Sequence, residues 1–204
     1  MQQSKKEDLR IIRTKKLLSS TLLNMLETQS IEDISIVDIC QKSFIHRTTF
    51  YSHFKDKYDL FKYTFNVLKN EIIDINLLET KSYENLVKNT SECILNYIEK
   101  NHVKISNILK NNHAEKIIYI VEKDIEIGIK YLVKNYTNQT LENLETQSII
   151  SFLTGGITNL LYWWTQNIDY YSKEEMIRSL ENLIFNNIKI KEDTYNIFFL
   201  LIFY

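Results

Sequence analysis

Hydrophobic residues in the first third of the chain recur every three or four positions, which is the spacing of amphipathic helices. A first helix is predicted over residues 14–27, and a second begins after Ser35, which forms a capping-box pattern with Asp38. A third helix is predicted from His46 to Phe54. The apolar face of the first helix, expected to form the back wall of a three-helix head, comprises Leu17, Leu18, Thr21, Leu22, Met25 and Leu26.

The predicted helix from His46 to Phe54 has two different faces. At about 100° per residue, Phe50 and Phe54 point towards the other helices, whereas the opposite face carries no carboxylate. Most side chains of that face can donate a hydrogen bond to a phosphate or a base edge. They are Thr48, Ser52 and Lys55, flanked by Thr49 and Tyr51. The pattern over residues 35–54 is that of a helix-turn-helix whose second helix enters the major groove of DNA.

The rest of the chain is also predicted to be helical. Asp56 caps a long helix over residues 57–78, which runs from the head into a second domain without a flexible linker. Ser172 and Glu175 form another capping box. Further helices are predicted over residues 83–100, 102–111, 114–135, 143–166 and 173–187, with asparagines at several breaks. The fold class is therefore all-α, with a head over residues 1–70 and a second helical domain over residues 71–204.

Composition agrees with a helical chain, since there is no proline and only three glycines, against usual frequencies of roughly 5% and 7%. Residues 1–70 hold 12 lysines and arginines against 8 acidic residues, whereas residues 71–204 hold 13 against 18. A basic first third suits a module that meets phosphate. Cys40 and Cys93 lie in unrelated helical segments, so we expect no structural disulfide and a reducing compartment.

The first residues are polar and basic and do not resemble a signal peptide. One uninterrupted apolar run, residues 197–204, is far shorter than the roughly 20 residues that span a bilayer. We therefore expect a soluble, cytoplasmic protein with no membrane partner. The apolar run has no assigned role.

The helix-turn-helix resembles the DNA-binding motif of the TetR/AcrR family of bacterial transcription regulators. The family's pattern has an isoleucine before the turn, a Thr-Leu/Phe-Tyr-x-His/Tyr-Phe run and then a lysine, which correspond to Ile39, residues 49–54 and Lys57. A subgroup with Arg-x-Thr-Phe-Tyr is closer still. Phe44 stands where the family has glycine, and since a bulky residue at positive φ is strained, the turn is expected to be altered locally. His46 replaces the usual Ser or Asn cap.

A second stretch, residues 151–164, resembles the penultimate helix of the same subgroup, where a Gly-Gly pair and a following Trp are typical. Here the pair is Gly155 and Gly156. Each glycine in a helix costs roughly 1 kcal/mol relative to alanine, so close approach of another backbone is expected. The resemblance implies that residues 143–187 form a four-helix homodimer interface. It covers residues 10–70 and, less closely, residues 148–186.

The resemblance also implies roles on the DNA face. Arg47 and Thr48 would reach base edges, although a phosphate contact or a packing role is equally open for Arg47. The helix N-terminus at Ser35 would place amides against a phosphate. Phosphate contacts are implied for Thr49, Tyr51, His53 and Lys57. The full predicted set is Ser35, Arg47, Thr48, Thr49, Tyr51, Ser52, His53, Lys55 and Lys57.

Aromatic residues between positions 83 and 166 are expected by the same resemblance to line an effector pocket, although each alone is equally explained as core or dimer interface. The candidates are Tyr97, Tyr119, Tyr131, Tyr162 and Trp163. His102 and His113, with acidic residues nearby in sequence, suggest a sensor metal only as the lesser alternative to solvated or capping histidines. No catalytic or cofactor-binding pattern is present, so we do not expect an enzyme.

The resemblance implies a homodimeric transcription regulator that binds a pseudo-palindromic double-stranded DNA operator. A small-molecule effector in the second domain would change the spacing of the two heads, and repression is the family's usual output. Two alternatives stay open: the second domain docks a protein partner instead, or the protein activates transcription. The effector, the operator and the regulated genes cannot be read from the residues.

Overall fold

The computed structural model describes residues 9–72, 80, 82–111 and 115–190. In this part of the chain the regular structure is entirely helical, which confirms the predicted all-α class. The apolar run at residues 197–204 lies outside the described residues. The helices are α1 (Leu9–Leu26), α2 (Ile36–Ser43), α3 (Arg47–Tyr51), α4 (Lys57–Ile72), α5 (Tyr83–Asn111), α6 (Glu115–Tyr136), α7 (Leu144–Thr165) and α8 (Lys173–Asn187).

Three predicted helix boundaries need correction. The first helix was expected to begin at residue 14, but α1 already includes Leu9. The third helix was expected to reach Phe54, but α3 ends at Tyr51 and the chain then turns. The helices predicted over residues 83–100 and 102–111 form a single helix, α5, which is kinked at the expected break. Asn101 has non-helical dihedral angles there (φ −119°, ψ 17°). Its side-chain amide donates to the carbonyl oxygen of Tyr97 at 2.9 Å, which stabilises the kink locally.

The chain divides into two compact units. Unit 1 comprises Met1–Ile72 and Val103–Ala114, and unit 2 comprises the remainder. The second half of α5 belongs to unit 1 because Lys104 Nζ lies 2.8 Å from Glu27 Oε1 and donates to Asn24 Oδ1 at 2.9 Å. The predicted division at residue 70 did not include this segment in the head.

Unit 1 is built from α1 to α4 around a small core. Leu22 of α1, Ile39 of α2, Phe50 of α3 and Leu60 of α4 are all fully buried. Burying each such side chain contributes roughly 1.5–3 kcal/mol. Leu17 was predicted on the apolar face of α1, but it is 45% exposed, so that face is narrower than expected.

Unit 2 has its own core, formed by the first half of α5 with α6, α7 and α8. The most deeply buried side chains include Leu95, Val133, Leu153 and Trp164. The indole Nε1 of Trp164 donates to the carbonyl oxygen of Tyr171 at 3.0 Å, so this large side chain is buried with its polar group satisfied. Of the helices that the structure describes, none has the length and apolar character to cross a membrane.

Candidate nucleic-acid interface

The predicted capping box at the start of α2 is present. The hydroxyl oxygen of Ser35 accepts from the Asp38 N–H at 3.1 Å, and the Asp38 carboxylate accepts from the Ser35 N–H at 3.3 Å. Hydrogen bonds from the side chain and then the backbone of Ser35 lower the pKa of the Asp38 carboxyl. A phosphate contact through the amide of Ser35 would have to compete with these bonds.

The turn between α2 and α3 keeps a left-handed residue although that residue is not glycine. Phe44 has φ 56° and ψ 30°, so the expected local alteration of the turn is not found. The N–H of Ile45 donates to the Cys40 carbonyl at 3.0 Å and the N–H of Phe44 to the Gln41 carbonyl at 3.2 Å, which is a Schellman motif. A left-handed conformation costs a non-glycine residue roughly 1–2 kcal/mol. The phenyl ring itself is 93% exposed.

Helix α3 is short and is held in place by aromatic packing. Phe50 is fully buried and Phe54 is 4% exposed, with ring centroids 5.9 Å apart. Phe54 in turn packs against Tyr63 of α4 at 5.3 Å. His46 is the N-cap residue and makes no side-chain capping bond. The buried face of α3 is therefore fixed to unit 1, which leaves the opposite face open.

The open face of α3 carries most of the predicted DNA contacts. Arg47, Thr48, Ser52 and Lys55 are exposed, and Tyr51 is half exposed with its ring edge against Phe50. Thr49 and His53 are half-buried. The hydroxyl of Ser52 donates to the Thr49 carbonyl at 2.7 Å, so its proton is already in use. No carboxylate occurs from residue 39 to residue 55.

Lys57 has a structural role that the pattern did not predict. Its ammonium group donates to the carbonyl oxygens of Glu32 at 2.7 Å and Ile34 at 2.9 Å. Tyr58 adds a bond from its hydroxyl to the Glu32 carboxylate. These contacts tie the start of α4 to the loop before α2, so Lys57 positions the helix-turn-helix whether or not it also meets a phosphate.

An open cleft of about 300 Å³ lies beside His53. It brings together the cationic side chains of Lys15 in α1 and Lys62 in α4, neither of which was among the predicted DNA contacts. Lys15 Nζ lies 5.8 Å from the centre of the Tyr63 ring. No local signal in the sequence places residues of α1 next to α4, so the cleft could not be predicted. Its lining is Lys15, His53, Phe54, Asp59, Lys62, Tyr63 and Asn66.

The predicted effector-binding aromatics are not gathered around this cleft, and most lie at the surface. Tyr119 is 59% exposed and Tyr131 is 54% exposed. Tyr162 and Trp163 are also exposed, with the Trp163 ring packed 5.1 Å from that of Tyr171. Tyr97 is half-buried. Among the residues that the structure describes, exposure of this degree leaves these side chains outside any enclosed pocket.

Three buried polar atoms lie in unit 2, one of them on Tyr83, an aromatic residue of the range 83–166 expected to line a pocket, and two on Gln139 and Thr154, which the sequence did not single out. The Tyr83 hydroxyl, the Gln139 Oε1 and the Thr154 hydroxyl find no hydrogen-bond partner among the residues that the structure describes. The Tyr83 ring packs 5.5 Å from that of Phe185, and burial, helped by the charge of Glu84, raises the pKa of its hydroxyl. An unpaired buried polar group is costly, so these atoms are candidates for contact with a bound molecule.

The predicted dimer helix α7 exposes a stripe of apolar and small residues. Phe152 is 63% exposed, and Trp163 lies on the same side three turns later at 39%. Between them, Gly155 and Gly156 are exposed, and a Cβ atom built on either would meet nothing within 4 Å. The close backbone approach predicted there is therefore not made by any residue that the structure describes.

Comparison with known proteins agrees with this arrangement. Residues 84–186 match the family model TetR_C_8, described as a transcriptional regulator C-terminal region. The chain belongs to this TetR-type family of transcriptional regulators. A relative with a curated name, the uncharacterised HTH-type transcriptional regulator YxbF of Bacillus subtilis (strain 168), is 38% identical to this TetR-family chain over 74 residues. The match spans 36% of the chain and only 20% of that relative's length.

Solved structures show the same fold as this TetR-family chain. A TetR transcriptional regulator from Streptococcus agalactiae 2603V aligns with a TM-score of 0.61 at 18% identity, over 87% of this chain and 97% of that one. The dihydroxyacetone kinase operon activator DhaS aligns at 0.59 and 19% identity with the same coverage. The fatty acid degradation regulator FadR of Bacillus halodurans aligns at 0.53 and 14% identity, over 92% and 100%.

Proposed function

We propose that this TetR-family chain is a sequence-specific DNA-binding transcription regulator that acts as a homodimer. The observation that carries the proposal is the open face of α3. Its side chains are exposed hydrogen-bond donors on a helix that packs into the head through Phe50. Residues 39 to 55 themselves contribute no carboxylate that would repel a phosphate backbone. The Asp59 carboxylate lies beside Lys55, where it accepts from the Lys55 N–H at 3.1 Å.

The contacts are assigned by position on this face. Arg47 and Thr48 begin α3, the end of a recognition helix that meets base edges. Thr49, Tyr51 and His53 are assigned to phosphates, with Ser52 and Lys55 beside them. Lys57 acts mainly by positioning the loop before α2, since its ammonium group already donates two hydrogen bonds.

The experiment starts by selecting a duplex from a random DNA pool with the full-length protein. Arg47→Ala and Tyr51→Phe are then expected to weaken binding of the selected duplex by roughly 1–3 kcal/mol, while the fold stays intact by circular dichroism. Lys134→Ala is the control, because Lys134 is a cation exposed on α6, outside both the head and the proposed dimer interface. The proposal fails if no duplex is enriched, or if both α3 variants bind as tightly as the control.

A homodimer through α7 and α8 is supported by the exposed stripe that holds Gly155 and Gly156. Two heads related by a two-fold axis would read half-sites about 34–36 Å apart, so the selected duplex is expected to be a pseudo-palindrome. Binding is expected to fall steeply with salt, because two heads neutralise several phosphates.

Control by a small-molecule effector in unit 2 is part of the proposal and is supported by the buried polar atoms of Tyr83, Gln139 and Thr154. The alternative is a unit 2 that docks a protein partner. Mass spectrometry of a solvent extract of the purified protein separates the two: a stoichiometric small molecule supports the effector, whereas stoichiometric capture of one protein with no extracted molecule supports the alternative.

Repression is proposed as the output, with activation as the second candidate. The name of DhaS describes that protein as an operon activator, so the fold does not require repression. A reporter gene placed behind the selected duplex decides the sign: repression lowers expression when the protein is supplied, and activation raises it.

A further inference from the structure

The turn before α3 carries Phe44, whose side chain is almost fully exposed. Phe44 is 93% exposed and is the one residue with positive φ among those that the structure describes. The bonds of the turn come from the backbone N–H groups of Phe44 and Ile45, so the phenyl ring takes no part in them. Glycine would make the same turn without strain. The ring therefore calls for an explanation outside the protomer.

The surroundings of Phe44 match a polyanion. Lys42 and Arg47 are exposed on either side of it in the sequence, and the nearest acidic residues are Asp38 before it and Asp56 after it. Phe44 also lies three residues before Arg47, where α3 begins. That end of a recognition helix is the one that enters the major groove.

We propose that Phe44 is an apolar specificity contact with DNA, in which its ring packs against the 5-methyl group of a thymine in each half-site. The inference rests on the proposed function. The thymine methyl is the apolar group that base pairs present in the major groove, and phenylalanine is a suitable side chain to cover it. Packing the ring on the methyl removes both apolar surfaces from water. A protein partner is the competing occupant, and the flanking cations favour DNA.

The test uses the full-length protein and a duplex that it has selected from a random pool. Each thymine of the duplex is replaced in turn by deoxyuridine, which removes only the methyl group. Wild-type binding is expected to weaken about fourfold at one position per half-site, the effect of exposing about one methyl-sized group. Phe44→Gly is expected to bind the unmodified duplex more weakly and to be insensitive at that same position.

Two further variants keep the result interpretable. Phe44→Asn also tolerates a left-handed backbone without the flexibility of glycine, and it is expected to lose the same thymine sensitivity. Ile127→Ala removes an apolar side chain that is 65% exposed on α6, outside the head and the proposed dimer interface, and it is expected to bind as the wild type does. The thermal midpoint of Phe44→Gly is expected to be unchanged or raised, because the strain at φ 56° is relieved.

The outcomes distinguish the two proposals. If the wild type enriches no duplex, the proposed function fails and this inference fails with it. If a duplex is enriched but Phe44→Gly binds it as tightly as the wild type, only the inference is overturned, as a protein partner at Phe44 would produce. Deoxyuridine substitutions that weaken both proteins equally also overturn it, since the methyl group would then be read by another residue.

Discussion

Lys57 stabilises the position of the helix-turn-helix although it lies outside that motif, at the start of α4. The motif's first helix, α2, follows an irregular loop whose core contacts come from the buried side chains of Ile31 and Ile34. By donating to the carbonyl oxygens of Glu32 and Ile34, Lys57 fixes that loop to α4. Hydrogen bonds from a charged donor are the stronger kind, so their loss is measurable in stability.

We predict that Lys57→Met lowers the free energy of unfolding by about 1–2 kcal/mol, because two carbonyl oxygens lose their donor. Urea denaturation followed by circular dichroism measures this. Lys62→Met is the matched control, since Lys62 is exposed on the same helix and such surface changes usually stay within about 0.5 kcal/mol. Equal stability of the two variants would contradict a structural role for Lys57.

We predict the opposite sign for Tyr83→Phe. Its buried hydroxyl has no partner among the described residues, so removing it is expected to leave the free energy of unfolding unchanged or to raise it by about 1 kcal/mol. The control is Thr137→Val, which removes a buried hydroxyl that donates to the Val133 carbonyl at 2.8 Å and is expected to destabilise. If Tyr83→Phe destabilises as much as the control, the hydroxyl is paired after all.

At the scale of the element, α2 and α8 both begin with a capping box. In each case a serine hydroxyl, that of Ser35 or Ser172, accepts from the backbone N–H three residues later. The carboxylate at that later position, Asp38 or Glu175, accepts from the backbone N–H of the serine. Hydrogen bonds from the side chain and then the backbone of Ser172 lower the pKa of the Glu175 carboxyl. A carboxyl with a lowered pKa in the folded state stabilises the fold above its unfolded pKa and loses that effect as the pH falls.

We therefore predict that Glu175→Gln destabilises unit 2 near neutral pH and that the difference from the wild type shrinks as the pH falls below the ordinary Glu value of 4.5. Protonation then removes the same charge from the wild type. Thermal unfolding at a series of pH values measures the difference. Glu174→Gln is the control, because Glu174 lies in the same first turn outside the capping box. A difference that is constant with pH would contradict the assignment.

The elements also show which features sequence reasoning could reach. Both capping boxes could be predicted because their partners are three residues apart. The interruption at Asn101 could also be predicted, although as a break between two helices and not as a kink within one. The role of Lys57 was not, since its carbonyl partners lie 23 and 25 residues away. The exposure of the predicted effector aromatics could not be predicted either, because helical spacing alone does not tell which face another helix covers.

At the scale of the whole molecule, the exposed glycines of α7 are expected to matter for dimer formation and not for the folding of a single protomer. A Cβ atom at Gly155 or Gly156 would meet nothing within 4 Å in the described part of the chain, so each glycine lowers helix stability by roughly 1 kcal/mol with no packing gain there. We predict that Gly155→Leu or Gly156→Leu leaves the fold intact and shifts the homodimer towards monomer, measured by light scattering across a concentration series.

The control for this prediction is Gly128→Leu, because Gly128 is exposed on α6, outside the proposed interface, and a Cβ atom built there also meets nothing within 4 Å among the described residues. If the α7 variants dimerise as well as the control and the wild type, the interface lies on another face. An α7 variant that unfolds instead would contradict the open space around these positions within the protomer.

The membership of residues 103–114 in unit 1 has a consequence for how the protein is made. The helix-turn-helix leaves the ribosome early in synthesis. Glu27 and Asn24, however, can form their contacts with Lys104 only after it has been synthesised, some 80 positions later in the chain. At about 5–20 residues per second, synthesis leaves the nascent head incomplete for several seconds. A fragment cut after Ile72 would therefore lack part of its own structure, and chimaeric regulators assembled from this head should carry the distal half of α5 with it.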